Sequence, residues 1–184
     1  MCLILRGTAA NILRLDIEYA EMYNPDGWGI SDTLNRRTFS FNTDRTLRET
    51  LDQASQQEVF TVHFRMATHG VIDIGNAHPF DIGNDFLLFH NGVARNFTQG
   101  PRRCSDTANL ANFLRNKPWR VIHETLSSET TSRFLVTRGA SIRKFGKWIK
   151  VGGVLASNGQ IHSMTPWSDS YAKAYIPFDR QWRF

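Results

Sequence analysis

Val59-Phe60-Thr61-Val62-His63-Phe64 runs without a break into Arg65-Met66-Ala67-Thr68-His69-Gly70. The first six residues are mostly β-branched or aromatic, which predicts a central strand. Arg65 falls at the end of that strand, and a hydroxyl and an imidazole follow closely. A guanidinium so placed offers a planar fork to a carboxylate, with a short-range donor beside it. Taken alone it would read as a surface arginine next to a turn.

Working outward toward the N-terminus, residues 2–6 are mostly apolar and predict a short buried strand that pins the start of the chain inside the fold. Ile12, Leu15, Ile17, Tyr19 and Ala20 predict a helix that ends before the breaker group Asn24-Pro25-Asp26-Gly27. Trp28 to Ser31 and Thr38 to Phe41 read as two strands joined by the polar turn Asn35-Arg36-Arg37. Leu47, Leu51 and Ala54 recur at helical spacing behind a cap at Thr43 or Asp44. Toward the C-terminus, Asp85 to His90 reads as a strand ending at the turn pair Asn91-Gly92. Ser105 caps a helix with Leu110, Phe113 and Leu114 on one face, and Asn116-Lys117-Pro118 stops it. Trp119 to Leu126 predicts a second short helix. Arg133 to Thr137, Trp148 to Val151 and Val154 to Ser157 read as strands of a glycine-punctuated meander. Strands outnumber helices, and the helices come in groups between strand pairs, so layered α and β are expected in place of alternating βαβ units. The pair Gly152-Gly153 lacks the lysine or following helix of a phosphate-binding loop.

The 184 residues fit one domain, read as residues 2–184 with no attached synthase domain. A hydrophobic fraction of 41% against 21% charged excludes a disordered chain. The opening apolar run is too short for a signal or membrane segment, and none follows. Without a secretion segment, Cys2 and Cys104 are expected as free thiols in a reducing cytoplasm. Charge is uneven: Met1 to Ser132 carries 13 Lys/Arg against 15 Asp/Glu, whereas Arg133 to Phe184 carries 9 against 2. That basic final third suits an anionic partner or is a solvated face, and both readings stand. Arg143-Lys144-Phe145-Gly146-Lys147-Trp148-Ile149-Lys150 mixes cations and aromatics as nucleic-acid surfaces do, or forms a half-exposed sheet edge. The aromatic tail Tyr171 to Phe184 is expected to pack within the chain or at a subunit contact.

The chemistry starts at Cys2. Once Met1 is removed, this residue carries a thiol and a free α-amine with ordinary pKa values of about 8.5 and about 8. Near neutrality the amine takes the thiol proton and later returns it to a leaving group, giving a nucleophile with its own base. Asn91 can offer a side-chain N–H, and Gly92 a backbone N–H, to one developing oxyanion. Asp106, in the first turn of its helix, can accept from an ammonium group. Carboxylate clamp, oxyanion hole and ammonium acceptor together suit the backbone end of glutamine, with its side-chain amide at Cys2. A metal centre built from Cys2, His63, His69, His78, His90 and Asp106 is disfavoured, because they lack a paired helical His motif or cysteine knuckles. No metal or other cofactor is expected.

Cys2, Asn24-Pro25-Asp26-Gly27-Trp28-Gly29, His63-Phe64-Arg65, Ala67-Thr68-His69-Gly70, Asn76-Ala77-His78-Pro79, His90-Asn91-Gly92 and Ser105-Asp106-Thr107 together resemble the class II glutamine amidotransferase domain of the N-terminal nucleophile hydrolases. The resemblance implies an α+β fold, a four-layer αββα sandwich with two stacked, mainly antiparallel sheets. It implies that Cys2 forms a glutamyl thioester, that Arg65 and Thr68, with His69 nearby, hold the α-carboxylate, and that Asn91 and Gly92 form the oxyanion hole. Asp106 and the Gly92 carbonyl would take the α-amine. Asn76, His78 and His90 would support the pocket, and Asp26, Gly27, Trp28 and Gly29 would pack on the strand beside the nucleophile. Three positions depart from the family pattern. Leu3 replaces a common glycine, Met66 a tryptophan of the sugar-aminating members, and Ala108 a common glutamate.

The expected function is hydrolysis of glutamine to glutamate and ammonia, either as the glutaminase subunit of an amidotransferase whose synthase subunit accepts the ammonia or as a free glutaminase, and the sequence does not choose between the two. The alternatives are a hydrolase of a related γ-glutamyl amide and a noncatalytic binding module using the basic final third.

Overall fold

The computed structural model describes residues 2–41 and 46–165. Its ten strands are β1 (Leu3–Thr8), β2 (Trp28–Ser31), β3 (Arg37–Ser40), β4 (Val59–Phe64), β5 (Phe80–Asp81), β6 (Leu87–Asn91), β7 (Arg133–Arg138), β8 (Ser141–Phe145), β9 (Ile149–Val151) and β10 (Val154–Ala156). Six helices accompany them: α1 (Ala9–Leu13), α2 (Ile17–Tyr23), α3 (Leu47–Asp52), α4 (Asp106–Leu114), α5 (Trp119–Ser128) and α6 (Ile161–Met164). One sheet has the order β3-β2-β4-β1-β10-β9 and the other β5-β6-β7-β8. All neighbours in both sheets are antiparallel.

Side-chain alternation along the strands produces the layers. In β1, Leu3 and Leu5 join a core with Ile12, Ile17, Leu47, Leu51 and Ile161 from the helices over the six-stranded sheet. Ile4, between them, packs with Leu87, Phe89 and Leu135 of the second sheet. Leu88, Phe134 and Val136 turn the other way, onto Leu110, Leu114, Ile122 and Leu126 of α4 and α5. Helices, sheet, sheet and helices therefore stack as the expected αββα sandwich. Complete burial of each such Leu, Ile or Phe contributes about 1.5–3 kcal/mol.

The layer between the sheets is polar outside its small apolar centre. Arg6, Thr61, His63 and Asn91 are all buried. Arg6 Nη1 donates to Thr61 Oγ1 at 2.7 Å and Nη2 to the Ala140 carbonyl at 3.2 Å.

Local chemistry revises several expected boundaries. The N-terminal helix is two helices, because the Asp16 carboxylate accepts from Tyr19 N–H and starts a new one. Thr46 caps α3 in a reciprocal capping box with Glu49; Thr43 and Asp44 lie outside the described residues, as does the tail from Tyr171. Asn84 and Asp85 have positive φ and form a turn, so β6 begins at Leu87. Gly152 and Gly153, at φ 55° and 83°, form the tight β9–β10 hairpin turn. β9 is the expected half-exposed edge, while β8, part of the cation-rich run, is an additional strand. Among the described residues, no helix is long and apolar enough to cross a membrane.

Candidate active site

Pairing of Leu3 with Phe64 places Cys2, just before β1, beside Arg65, just after β4. The Cys2 thiol accepts from Met66 N–H at 3.3 Å and lies 3.4 Å from the Met66 carbonyl. Burial pushes the thiol pKa up, against the lowering effects of Met66 and nearby positive charge. From β10's end, Asn158 Nδ2 donates to the Cys2 carbonyl at 2.8 Å. Neighbouring Ser157 Oγ accepts from Ile4 N–H at 2.9 Å and from Asn91 Nδ2 at 2.8 Å.

Arg65 is buried, and among the described residues no carboxylate is bonded to it. Its backbone is clamped by the turn before β2: Arg65 N–H donates to the Gly27 carbonyl at 2.8 Å, and Asp26 N–H donates to the Arg65 carbonyl at 3.1 Å. The Asp26 carboxylate also accepts from Ala67 N–H at 2.6 Å. Arg65 Nη2 donates to the carbonyls of Val71 at 3.1 Å and His69 at 3.4 Å. Nη1 is buried without a hydrogen-bond partner among the described residues. Burial lowers the guanidinium pKa, yet an arginine stays charged under all ordinary conditions.

Asn76 joins two loops around this cation. Its Oδ1 accepts from Ser105 N–H at 2.6 Å, and its Nδ2 donates to the carbonyls of Arg103 at 2.7 Å and Val71 at 3.0 Å. Ser105 caps α4 through Ala108 N–H, so Asp106 opens the helix. One Asp106 oxygen accepts from Ala94 N–H at 2.6 Å.

Three buried histidines stand behind the cleft. His63 Nε2 lies 3.0 Å from the His90 carbonyl, which only accepts, so Nε2 carries the proton. Ser132 Oγ gives its single proton to the Val93 carbonyl. It therefore accepts from His90 Nε2 at 3.0 Å, leaving His90 Nδ1 to accept from Thr107 Oγ1 at 2.7 Å. His78 stacks on His63 with ring centres 3.8 Å apart, and neither of its nitrogens has a hydrogen-bond partner. Burial lowers His63 and His90 to about 3 and holds His78 well below the ordinary imidazole value. All three are neutral at physiological pH.

Cys2, Arg65, Thr68, His69, Gly92 and Asp106 line one cleft of about 30 Å³, together with Asn76, His78 and His90. Asn91 lies behind it, fully buried. Asp26, Gly27, Trp28 and Gly29 also stand outside the lining. They are not on the strand next to that of Cys2, because β4 separates β2 from β1; their reach to the site runs through Arg65 and Ala67. A side chain at Gly29 would overlap the His78 carbonyl, which accounts for glycine there. Gly92 has φ 142°, and a Cβ on it would sit 2.6 Å from Ser132 Oγ. Ser132, Ser157 and Asn158 were not legible as site residues, since each acquires its place only through strand pairing. Among the described residues, no group of three or more His, Cys, Asp or Glu side chains is gathered for a metal ion.

Comparison with known proteins gives partial similarity to one kind of enzyme. The chain is 35% identical over 95 residues to glutamine–fructose-6-phosphate aminotransferase (isomerizing) of Halalkalibacterium halodurans, covering 50% of this chain and 16% of that protein. The same identity and coverage hold for the enzyme of that name from Shouchella clausii. With the one from Oceanobacillus iheyensis the chain is 42% identical over 53 residues, 28% of this chain and 9% of that protein. The matched stretch thus spans under a fifth of each relative's length. No family model matches the chain.

Proposed function

We propose that this protein hydrolyses the side-chain amide of glutamine, with Cys2 as nucleophile after removal of Met1. The observation that carries the reading is the unpartnered, buried Arg65 Nη1 in the same cleft as the Cys2 thiol. A buried cation without a counter-charge is costly, and an α-carboxylate would supply that charge. Asp106 keeps one carboxylate oxygen for an ammonium group, since the other is engaged by Ala94. Asn91 Nδ2 gives one of its two protons to Ser157 and retains the second for an oxyanion.

In this mechanism the thiol passes its proton to the α-amine, and Cys2 Sγ bonds to the amide carbon. Asn91 and the Gly92 backbone stabilise the tetrahedral oxyanion. The C–N bond breaks, and ammonia leaves with the proton returned by the amine. Water then adds to the thioester, the amine acting as base, and glutamate is released with a free thiol. Thr68 and His69 complete the carboxylate site. The ammonia goes to a partner synthase or to solvent. The free thiols Cys2 and Cys104 suit a reducing compartment such as the cytoplasm.

The test is intact-mass analysis before and after exposure to a diazo-ketone analogue of glutamine, with glutamine as competitor. The expected result is a chain lacking Met1 that gains one adduct on Cys2, suppressed by glutamine. A folded, Met1-free chain that takes no label overturns the reading.

A further inference from the structure

A second cavity, of about 350 Å³, lies one hydrogen bond from the Cys2 cleft, because Ser132 lines the cavity, His90 lines the cleft and the two side chains are bonded. It opens between the C-terminal part of α5 and strand β8, and its size falls within the range of about 300–1,000 Å³ typical of small-ligand sites. Leu126 and Phe145 give it an apolar floor, and both belong to the core under α5. Arg143 and Lys144 bring positive charge to the same cavity. Alternation along β8 puts Arg143 on the same face as Phe145, toward α5.

The charges there are unbalanced. Glu129 is the only carboxylate of the lining, and it is buried and engaged. It accepts from Arg95 N–H at 3.1 Å, Asn96 N–H at 3.3 Å and Asn96 Nδ2 at 3.0 Å. Neither Arg143 nor Lys144 forms an ion pair among the described residues. An apolar floor under unpaired cations selects a ligand with an apolar body and an anionic end.

We infer that this cavity binds a small organic anion, its body on Leu126 and Phe145 and its phosphate or carboxylate on the Arg143 fork. The site gives the basic final third a small-molecule ligand. It is also wired to the cleft. Ser132 lines the cavity, accepts from His90 and donates to the Val93 carbonyl. Glu129 holds the next two backbone N–H groups but one, at Arg95 and Asn96, while Ala94 N–H reaches Asp106. The turn after Gly92 is thus held by cavity residues on one side and by a cleft residue on the other. A ligand that shifts Ser132 or Glu129 therefore shifts that turn. The coupling to catalysis rests on the function proposed for Cys2; the binding site does not.

Titration of the full chain with phenyl phosphate, followed by backbone amide resonances in NMR, tests both parts without any turnover. Saturable shifts are expected over 126–132 and 143–146, extending to 93–96. Phenyl phosphate should bind more tightly than inorganic phosphate, and phenol should not compete. Arg143→Gln, at an exposed position, should weaken binding about tenfold, or about 1.4 kcal/mol, while Lys150→Gln on the edge strand leaves it unchanged. Non-saturating shifts, or equal affinity in Arg143→Gln and the parent, overturn the site. Saturable binding with 93–96 unmoved overturns the coupling. Neither result depends on whether Cys2 is a nucleophile.

Discussion

Asn158 Nδ2 holds the carbonyl oxygen of Cys2 at 2.8 Å, across 156 positions of chain. One residue earlier, Ser157 Oγ holds both Ile4 N–H and the Asn91 amide. The Ser157-Asn158 pair therefore fixes both the proposed nucleophile and the proposed oxyanion donor from a single strand end.

Loss of that hold should act on the chemical step. Asn158→Ala removes one hydrogen bond of about 1 kcal/mol, and its effect on glutamine hydrolysis should be a kcat reduced by about fivefold with KM nearly unchanged. Steady-state kinetics and a thermal melt check this together. A rise in KM at constant kcat would instead place Asn158 in substrate binding.

Arg65→Lys keeps the charge but loses the fork. The KM for glutamine should rise by roughly 10- to 100-fold, equivalent to about 1.4–2.7 kcal/mol, with a smaller change in kcat. Competition by glutamine against diazo-ketone labelling of Cys2 gives the same information without turnover. Unchanged protection would remove Arg65 from the carboxylate site.

The neutral histidines make stability depend on pH. His63 and His90 have folded pKa values of about 3, and His78 is shifted in the same direction, in each case chiefly by burial. In the unfolded chain each takes up a proton near pH ~6.5. Below that pH the unfolded state binds more protons, so stability is fully present above it and is lost as pH falls toward 3. The slope is up to about 1.4 kcal/mol per pH unit for each histidine. Urea midpoints should be flat above about pH 7 and decline in mild acid, well before carboxylates titrate. A midpoint that does not move in mild acid would mean that the imidazoles are solvated in the folded chain.

Arg6 gives a contrasting case of buried charge. Among the described residues it reaches only Thr61 Oγ1 and the Ala140 carbonyl, and burial lowers its pKa. Arg6→Met should leave the chain as stable as the parent or more so, by about 1–4 kcal/mol where replacement of a buried ion by an apolar side chain succeeds. Denaturant unfolding measures it. A loss of stability would show that the two hydrogen bonds outweigh the cost of desolvation.

The interior was legible in sequence where apolar patterning is dense. β1 and β4 are neighbours deep in their sheet, and their runs of Leu, Ile, Val and Phe mark them as strands without further help. Ser105 announced α4 because a hydroxyl before an apolar periodicity has one strong use. The cleft residues could be read because their motifs cluster at strand ends and loops. β8 escaped because an edge strand of Ser, Ile, Arg, Lys and Phe with mostly exposed side chains carries no alternating apolar signal. Asn91 was correctly placed at a strand end, but its bond to Ser157 depends on how two sheets stack, which no local pattern encodes.

β1 lies between β4 and β10, so it gains its second neighbour only when residues 154–156 have been made. A chain truncated ahead of Val154 keeps Cys2, Arg65 and Asp106 in its sequence yet leaves one edge of β1 open and removes Ser157 and Asn158. On the proposed function, reactivity at Cys2 should therefore arise only once residues 154–158 are in place, which shields a growing chain from displaying a reactive thiol in an incomplete pocket.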